Sequence, residues 1–537
     1  MKKTLLYLAL IIANFVNAQY NPQVLVDLYN GPTSGFGVMN MASSAQLENQ
    51  LFFTLIDEGG KKIYVTDGTA ANTHVLTTTP TYVGLFAFDN QIYYSFVDPV
   101  NGGQLWKTDG TASGTVLVTT FGGGNYSNPS NYLIVGDKMF FAAGNTASPN
   151  AKQLYSLQAG SNVPQLLSSS IYGVNYLTKY NNQVLFTASS IQVEHYLYQE
   201  PYITDGTIGG TTIIKDINPG NDGSSPDGYF LYMDKIYFSA DDGTHGTELW
   251  STNGTATGTQ LVKDINPGTA SAFYSLNAST ADGILFFPAN DGVHGNEIWY
   301  SYGTAANTAL LIDINPNGNS NPNGLVNIGN GSTLVFTADD GVHGSEPWKT
   351  NGTAQFTSMI KDINPGSESS SYSIRKSNAL CPNIIFFDAT DNSNDNIEPW
   401  YTDGTPENTQ MIANLNLAGS SVNYETFYVA FKNKIYFAAQ TGTGNELFVM
   451  DQICTLGVET NQRPEFAVYP NPTKDIVNIE TTAEISTIEI YNTLGQLVET
   501  VAGNKKELNI SGFSNGIYFL NITTTDKLKS VQKIIKN

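Results

Sequence analysis

Residues 240–268 read ADDGTHGTELWSTNGTATGTQLVKDINPG. Two runs of alternating apolar residues, ELWST and TQLVKDI, are joined by Asn253-Gly254, a dipeptide that reaches positive φ cheaply and so closes a β-hairpin. An acidic, glycine-rich loop flanks the hairpin on each side. Such loops hold a metal, contact a sugar, or act only as turns. The rest of the chain bears on the choice because it repeats the phrase.

Aligned on the Asp-Gly-Thr turn, the copies are YVTDGTAANTHVL, LWKTDGTASGTVLV, YITDGTIGGTTIIKDINPG, the opening stretch itself, IWYSYGTAANTALLIDINPNG, PWKTNGTAQFTSMIKDINPG and PWYTDGTPENTQMIANLN. A degenerate copy, LYSLQAGSNVPQLL, and a truncated one, NELFVMD, complete the series. The period is roughly 48 residues, a length typical of propeller blades. All five tryptophans (Trp106, Trp250, Trp299, Trp348 and Trp400) fall at one position of the repeat. Each unit reads as four short strands, a to d; around the opening stretch they are GYFLYMD, KIYFSA, ELWST and TQLVKDI. Four antiparallel strands per period is the pattern of a β-propeller blade.

Hairpins joining strands b and c begin near 51, 91, 137, 183, 234, 283, 333, 384 and 434. The last unit stops at MDQICTLG without a strand d, while the N-terminal region opens with PQVLVDLYNGPTSG, which reads as a strand d without a unit. Pairing the two would close a ring and cover two sheet edges. The sequence therefore predicts an all-β chain: a propeller of about nine four-stranded blades closed by its N-terminal strand, followed by a small β-sandwich. Eight blades result if one weak unit loops out, and a linear stack of sheets leaves the spare strand unexplained. The phrases ELWSTNGT at 248 and QLWKTDGT at 104 resemble the ELWxxDGT-type repeat of secreted bacterial proteins, over roughly residues 20–450. That resemblance implies a repeat architecture and no particular reaction.

The formal net charge is −22, and charged residues make up only 13% of the chain. Nucleic-acid binding needs a basic surface, so that class is disfavoured, as is simple attraction to anionic membranes. The start MKKTLLYLALIIANFVNAQ has the parts of a signal peptide over 1–18: Lys2 and Lys3, an apolar core from Leu5 to Ile12, and the small-residue site Val16-Asn17-Ala18. No later segment has the apolar length of a membrane span. Two cysteines, Cys381 and Cys454, are too far apart for a metal knuckle. In an exported chain they are candidates for a disulfide between the eighth and ninth units, if a loop near the axis and one near the rim approach within about 7 Å.

The repeat domain is expected over 19–453, a linker over 454–465 and a separate domain over 466–537. This last segment shows about seven short alternating strands with turns at Asn471-Pro472, Gly495 and Asn515-Gly516, as in a compact sandwich. It closely resembles the C-terminal sorting domain of the type IX (Por) secretion system of Bacteroidetes. The resemblance is carried by Tyr469-Pro470-Asn471-Pro472, by Tyr491-Asn492 with Leu494-Gly495-Gln496, by Gly516-Ile517-Tyr518, and by Lys533 with Ile534 to Lys536. It implies the type IX secretion machinery as a partner and export across the outer membrane. It also implies removal of the domain, with the product released or attached to the cell surface.

Three loops between strands b and c, ADDGTHG, ANDGVHG and ADDGVHG, place Asp242 with His245, Asp291 with His294 and Asp340 with His343. Asp and His together suit a metal, and Ca2+ is the ion to consider, yet no loop has the DxDxDG calcium pattern. The competing reading makes Asp and Gly the turn and His a packing group. Asp264, Asp313 and Asp362 recur in the d–a loops (KDINPG and variants), on the same face as the b–c loops. That face is the default binding surface, suited to divalent ions or hydroxyl-rich glycans. The glutamates of strand c (Glu200, Glu248, Glu297, Glu346, Glu398, Glu446) look like a catalytic series. Their repetition argues against one unique acid/base pair. Cross-strand register instead predicts Glu248 opposite Lys263, Glu346 opposite Lys361 and Glu200 opposite Lys215. The tryptophans are expected to fill space between blades. The reading that results is a secreted or surface-attached, non-catalytic binding protein, with glycan or surface polysaccharide as ligand and no cofactor. The alternative is a polysaccharide-active hydrolase or lyase on a propeller scaffold.

Overall fold

A computed structural model describes residues 20–451 and 466–537, apart from 31–42, 58–59, 80–83, 99–101, 122–127, 146–147, 192–197, 221, 329–330, 372–373, 375–382, 392–395, 424–425, 442–443, 482–483, 493–495 and 526–528. The expected signal peptide, the linker and both cysteines lie outside the described residues. The chain divides into two compact units, 1–454 and 455–537.

In the larger unit the described residues form nine antiparallel sheets, eight of four strands and one of three. All nine expected b–c hairpins are present. Around the opening stretch, Asp227–Tyr232, Lys235–Asp241, Thr247–Thr252 and Gln260–Lys263 follow one another across the sheet. Strand b is buried from Ile236 to Ala240, on both faces, because each sheet is packed on both sides. Hence its near-continuous apolar run.

The ninth sheet takes its fourth strand from the other end of the chain. Gln23–Asn30 runs antiparallel to Gly444–Asp451, with Val24 opposite Phe448 and Val26 opposite Leu447. One hydrophobic cluster joins Leu51, Phe53 and Tyr64 of the first sheet to Val429, Phe431, Tyr436 and Leu447 of the ninth. Across the same seam, Gln46 Nε2 donates to the Ala430 carbonyl (2.6 Å) and Lys432 Nζ to that of Asp67 (2.9 Å). Further clusters join first to second, second to third, and so on to seventh and eighth. Eighth and ninth meet through Tyr428, which packs on Phe386 and Phe437 and donates its hydroxyl to Asp388 (2.6 Å). Tyr20, 1% exposed, is wedged edge-on between Phe386 and Tyr401 of the eighth sheet.

The c–d turn explains the repeated TDGT phrase. The Asn253 side chain accepts from the Thr255 amide (3.1 Å) and hydroxyl (2.7 Å), and Gly254 has φ 83°. The hydroxyls of Thr252 and Thr259 meet at 2.7 Å, closing the turn. A Cβ on Gly258 would come within 1.9 Å of Asn253 Oδ1. Where the repeat has Asn in place of that glycine, the turn is recut, and Asn72 and Asn408 donate instead to the second oxygens of Asp67 and Asp403 (2.7 Å each).

The tryptophans pack between sheets as expected, Trp250, Trp299 and Trp400 being 5–6% exposed. Each of the five leaves its indole Nε1 without a hydrogen-bond partner. The expected glutamate–lysine pairs are not formed. A register shift between Leu249 and Trp250 places Lys263 opposite Leu249. Lys215 and Lys361 reach instead to the next sheet, where they donate to the carbonyls of Thr259 (2.9 Å) and Thr409 (2.7 Å) and lie over the rings of Trp250 and Trp400. The bulge displaces Lys263, while for Lys215 and Lys361 a neighbouring turn carbonyl beside an aromatic face takes the place of the glutamate.

The smaller unit has seven described strands. Ala467–Tyr469, Ile476–Glu480 and Glu507–Asn509 form one sheet, and Leu497–Ala502, Ile485–Asn492, Gly516–Thr524 and Lys529–Lys536 the other. Val477, Ile479, Ile488, Ile490, Leu520, Ile522 and Ile534 form a core shared by the two sheets.

Candidate functional site

The loops between strands b and c build themselves. Asp242 Oδ1 accepts from the amides of Thr244 (2.9 Å) and His245 (3.0 Å), and its Oδ2 meets His245 Nδ1 at 2.8 Å. Asp291 with His294 and Asp340 with His343 repeat the arrangement, both at 2.7 Å. The histidine side chains are 36–42% exposed. The bond to the carboxylate raises each imidazole above its ordinary value. Burial pushes the three aspartates up, but the ring and amide bonds outweigh it and hold them below the usual carboxylate value.

These loops pack against the d–a loops of the same face. The Thr247 amide donates to Ser271 Oγ (3.0 Å) and the Ala272 amide to the Thr247 carbonyl (3.0 Å). A side chain on Gly246 would meet the Ala270 carbonyl at 2.7 Å, and one on Gly243 would meet Asn218 Oδ1, from the preceding d–a loop, at 2.8 Å. Both glycines also have positive φ. Asp264, Asp313 and Asp362 stand at the roots of the d–a loops, each with a buried Oδ1 that accepts no bond. Each histidine feels its neighbour among them, His245 with Asp264, His294 with Asp313 and His343 with Asp362. The structure therefore gathers one Asp–His pair and one further Asp per sheet, in three consecutive sheets. Among the described residues no group of three or more His, Cys, Asp or Glu side chains is placed to hold a metal ion.

Sequence reasoning missed the role of the strand-c glutamates, which are buried anchors for the d–a loops. Glu248 is 0% exposed and accepts from the amides of Ile265 (2.7 Å) and Asn266 (3.2 Å). Glu297 accepts from the amides of Ile314 and Ser320 (2.9 Å each) and the Ser320 hydroxyl (2.6 Å). Glu200 and Glu346 do the same for their loops, and Glu398 is held by the Leu415 amide and the Ser421 hydroxyl. Burial pushes Glu248, Glu346 and Glu398 up to about 7, and raises Glu200 and Glu297 as well. The signal was available: Glu in strand c recurs with the DIN phrase, spaced to meet the two amides that follow its Asp.

In the smaller unit Asn471 ties two parts of the expected sorting signature together. Its side chain donates to the Lys533 carbonyl (2.8 Å) and accepts from the Ile535 amide (2.9 Å). Pro470 and Pro472 flank it, exposed, and Tyr469 is 50% exposed. Gly516 opens the strand in which Tyr518 is buried, with its hydroxyl donating to Ser514 (2.8 Å). Gly495 lies outside the described residues.

A curated relative, the ulvan lyase NLR42 of Nonlabens ulvanivorans, is 32% identical over 87 residues, which is 16% of this chain and 16% of that protein. Among solved structures, PorZ, described as a surface component of the type-IX secretion system of Porphyromonas gingivalis, aligns over 93% of this chain and 82% of its own at 11% identity and a TM-score of 0.24. A puromycin-hydrolyzing peptidase of Mycobacterium tuberculosis aligns over 78% and 61% at 10% identity and a TM-score of 0.39. Likenesses this loose carry no argument about fold or activity. Among the described residues no helix is long and apolar enough to cross a membrane. Residues 467–537 match the family described as the secretion system C-terminal sorting domain, and this chain therefore carries the tail that directs export by type IX secretion.

Proposed function

We propose that the larger unit is a closed nine-bladed propeller that acts, once exported, as a non-catalytic binding protein for hydroxyl-rich glycan at the face formed by its b–c and d–a loops. The observation that carries the reading is the fate of the acids. Every strand-c glutamate from Glu200 to Glu398 is committed to anchoring a d–a loop, and each loop aspartate from Asp242 to Asp340 to building its own turn. Such a face offers the same rigid surface several times over, which suits multivalent capture of a repeating polymer better than one unique reaction. The sheet-to-sheet clusters, including the one between first and ninth, support closure of the ring. The sorting tail supports export, with release from the cell or attachment to surface polysaccharide as the proposed end point.

The second reading, a polysaccharide-degrading enzyme, is favoured only by the 87-residue likeness to an ulvan lyase. One assay separates the two. The purified larger unit is incubated with a polysaccharide panel that includes ulvan, and both bound polymer and new chain ends are measured. Saturable binding without new ends is expected, and turnover of any polymer would overturn the binding reading.

A further inference from the structure

The a–b and c–d turns lie at the other end of the strands, and one place among them breaks two of the repeat's own rules. The first residue of the two-residue a–b turn is left-handed in several sheets: Asp89, Gly136, Asn181 and Asp282 occupy it at φ 50–63°. These are the residue types that tolerate the conformation. Lys432 is an exception with a task, since its ammonium group ties the ninth sheet to the first. Met233, at φ 52°, is an exception without one; its side chain is 63% exposed. The second broken rule is in the c–d turn of the next sheet. Where six other copies place an Asp or Asn whose side chain caps the following Thr, this copy places Tyr302, which cannot cap and is 46% exposed. Local rules broken at two turns of neighbouring sheets set these turns apart from the other copies.

Met233 lines one open recess of about 530 Å3, inside the range of roughly 300–1,000 Å3 for small-ligand sites. Leu231 (50% exposed) and Met233 give it an apolar rim; Thr280, Asp282 and Asn327 give it a polar floor. The turn that carries Tyr302 packs against a lining residue of the recess, since a side chain on the adjacent Gly303 would come within 3.9 Å of the Tyr232 ring. Asn327 spends its amide hydrogens on the carbonyls of Thr280 and Gly331, which leaves its Oδ1 as an acceptor lining the same recess as Asp282. An apolar and aromatic rim above two hydrogen-bond acceptors matches a ring with one C–H face and several hydroxyl donors.

We propose that this recess binds a neutral sugar ring. The site is independent of the loop face, which lies at the opposite end of the strands. The test is calorimetry and saturation-transfer NMR on the full exported chain, with the methyl pyranosides of glucose, galactose and mannose and their neutral trisaccharides as probes. At least one should bind saturably. Met233→Asn and Tyr302→Asp, which restore the repeat's own turn residues, should weaken that binding about tenfold or more while leaving Tm unchanged or higher. His245→Ala, on the other face, should leave it unchanged. No saturable binding to the unaltered chain, or equal binding by both restored variants, overturns the proposal. So does self-association of the unaltered chain that Met233→Asn abolishes, which would make the patch a contact between copies.

Discussion

At the residue scale, Glu248 shows how a carboxylate can be catalytic in appearance and architectural in use. Its two oxygens are the acceptors for the first amides of a loop that has no strand to pair with. Replacing it by Ala leaves those buried amides unpaired, so Glu248→Ala should cost about 1–3 kcal/mol, read by chemical denaturation, while Glu248→Gln should cost less. The same groups set a pH dependence. Glu248, Glu346 and Glu398 have folded values near 7 against an ordinary 4.5, so their ionisation costs stability above 4.5, fully so above about 7. The histidines His245, His294 and His343 are raised above 6.5, and their contribution is present below that value and lost as pH rises through the folded one. Both effects run the same way, so Tm should rise as pH falls from 8 to 5. Asp242, Asp291 and Asp340 are depressed below 3.8, and their contribution is lost as pH falls through their folded values. Calorimetry across pH 3–8 should therefore show a maximum near pH 5; a Tm that falls steadily from pH 8 to 5 would contradict the buried-glutamate account. The role itself was hidden in the sequence because the partner of each Glu is a backbone amide, which has no letter. Lys263 was misassigned for a related reason: a bulge after Leu249 shifts the register, and nothing in ELWST announces it.

At the scale of the element, strands and turns were the legible part. Period-2 alternation and the b–c hairpins could be read directly, since each rests on local geometry that side-chain type dictates. The match between a unit lacking its last strand and a strand lacking a unit could also be read, and the pairing of Gln23–Asn30 with Gly444–Asp451 is what it predicts. Tyr20 could not be placed, because its neighbours Phe386 and Tyr401 are brought to it only by the complete sheet arrangement. A tyrosine so enclosed at the very start of the strand makes it an anchor. Tyr20→Ala should cost about 3 kcal/mol by equilibrium denaturation and should loosen the N-terminal strand, visible as faster hydrogen exchange at residues 24–28. Unchanged exchange there would show that the strand pairing holds without the anchor.

At the scale of the whole molecule, two units serve two purposes. The sorting signature could be read because its motifs are linear, although the bonds from Asn471 to Lys533 and Ile535 show that YPNP and the last strand are joined. Deleting residues 466–537 should leave the protein in the periplasm, as judged by fractionation and surface proteolysis; surface delivery of the truncated chain would refute the sorting role. For the larger unit, blade number and closure were the open questions, because eight and nine blades differ only in whether the degenerate copy near 154 folds as the others do. That copy forms a four-stranded sheet like its neighbours, with Lys138–Asn145 and Ser148–Gln158 as its central hairpin. A ring whose repeated loops form one continuous face should be visible in electron-microscopic class averages of the purified protein viewed down the ring axis. A closed ring of nine spokes is expected, and an open arc or a ring of eight would contradict closure by the N-terminal strand.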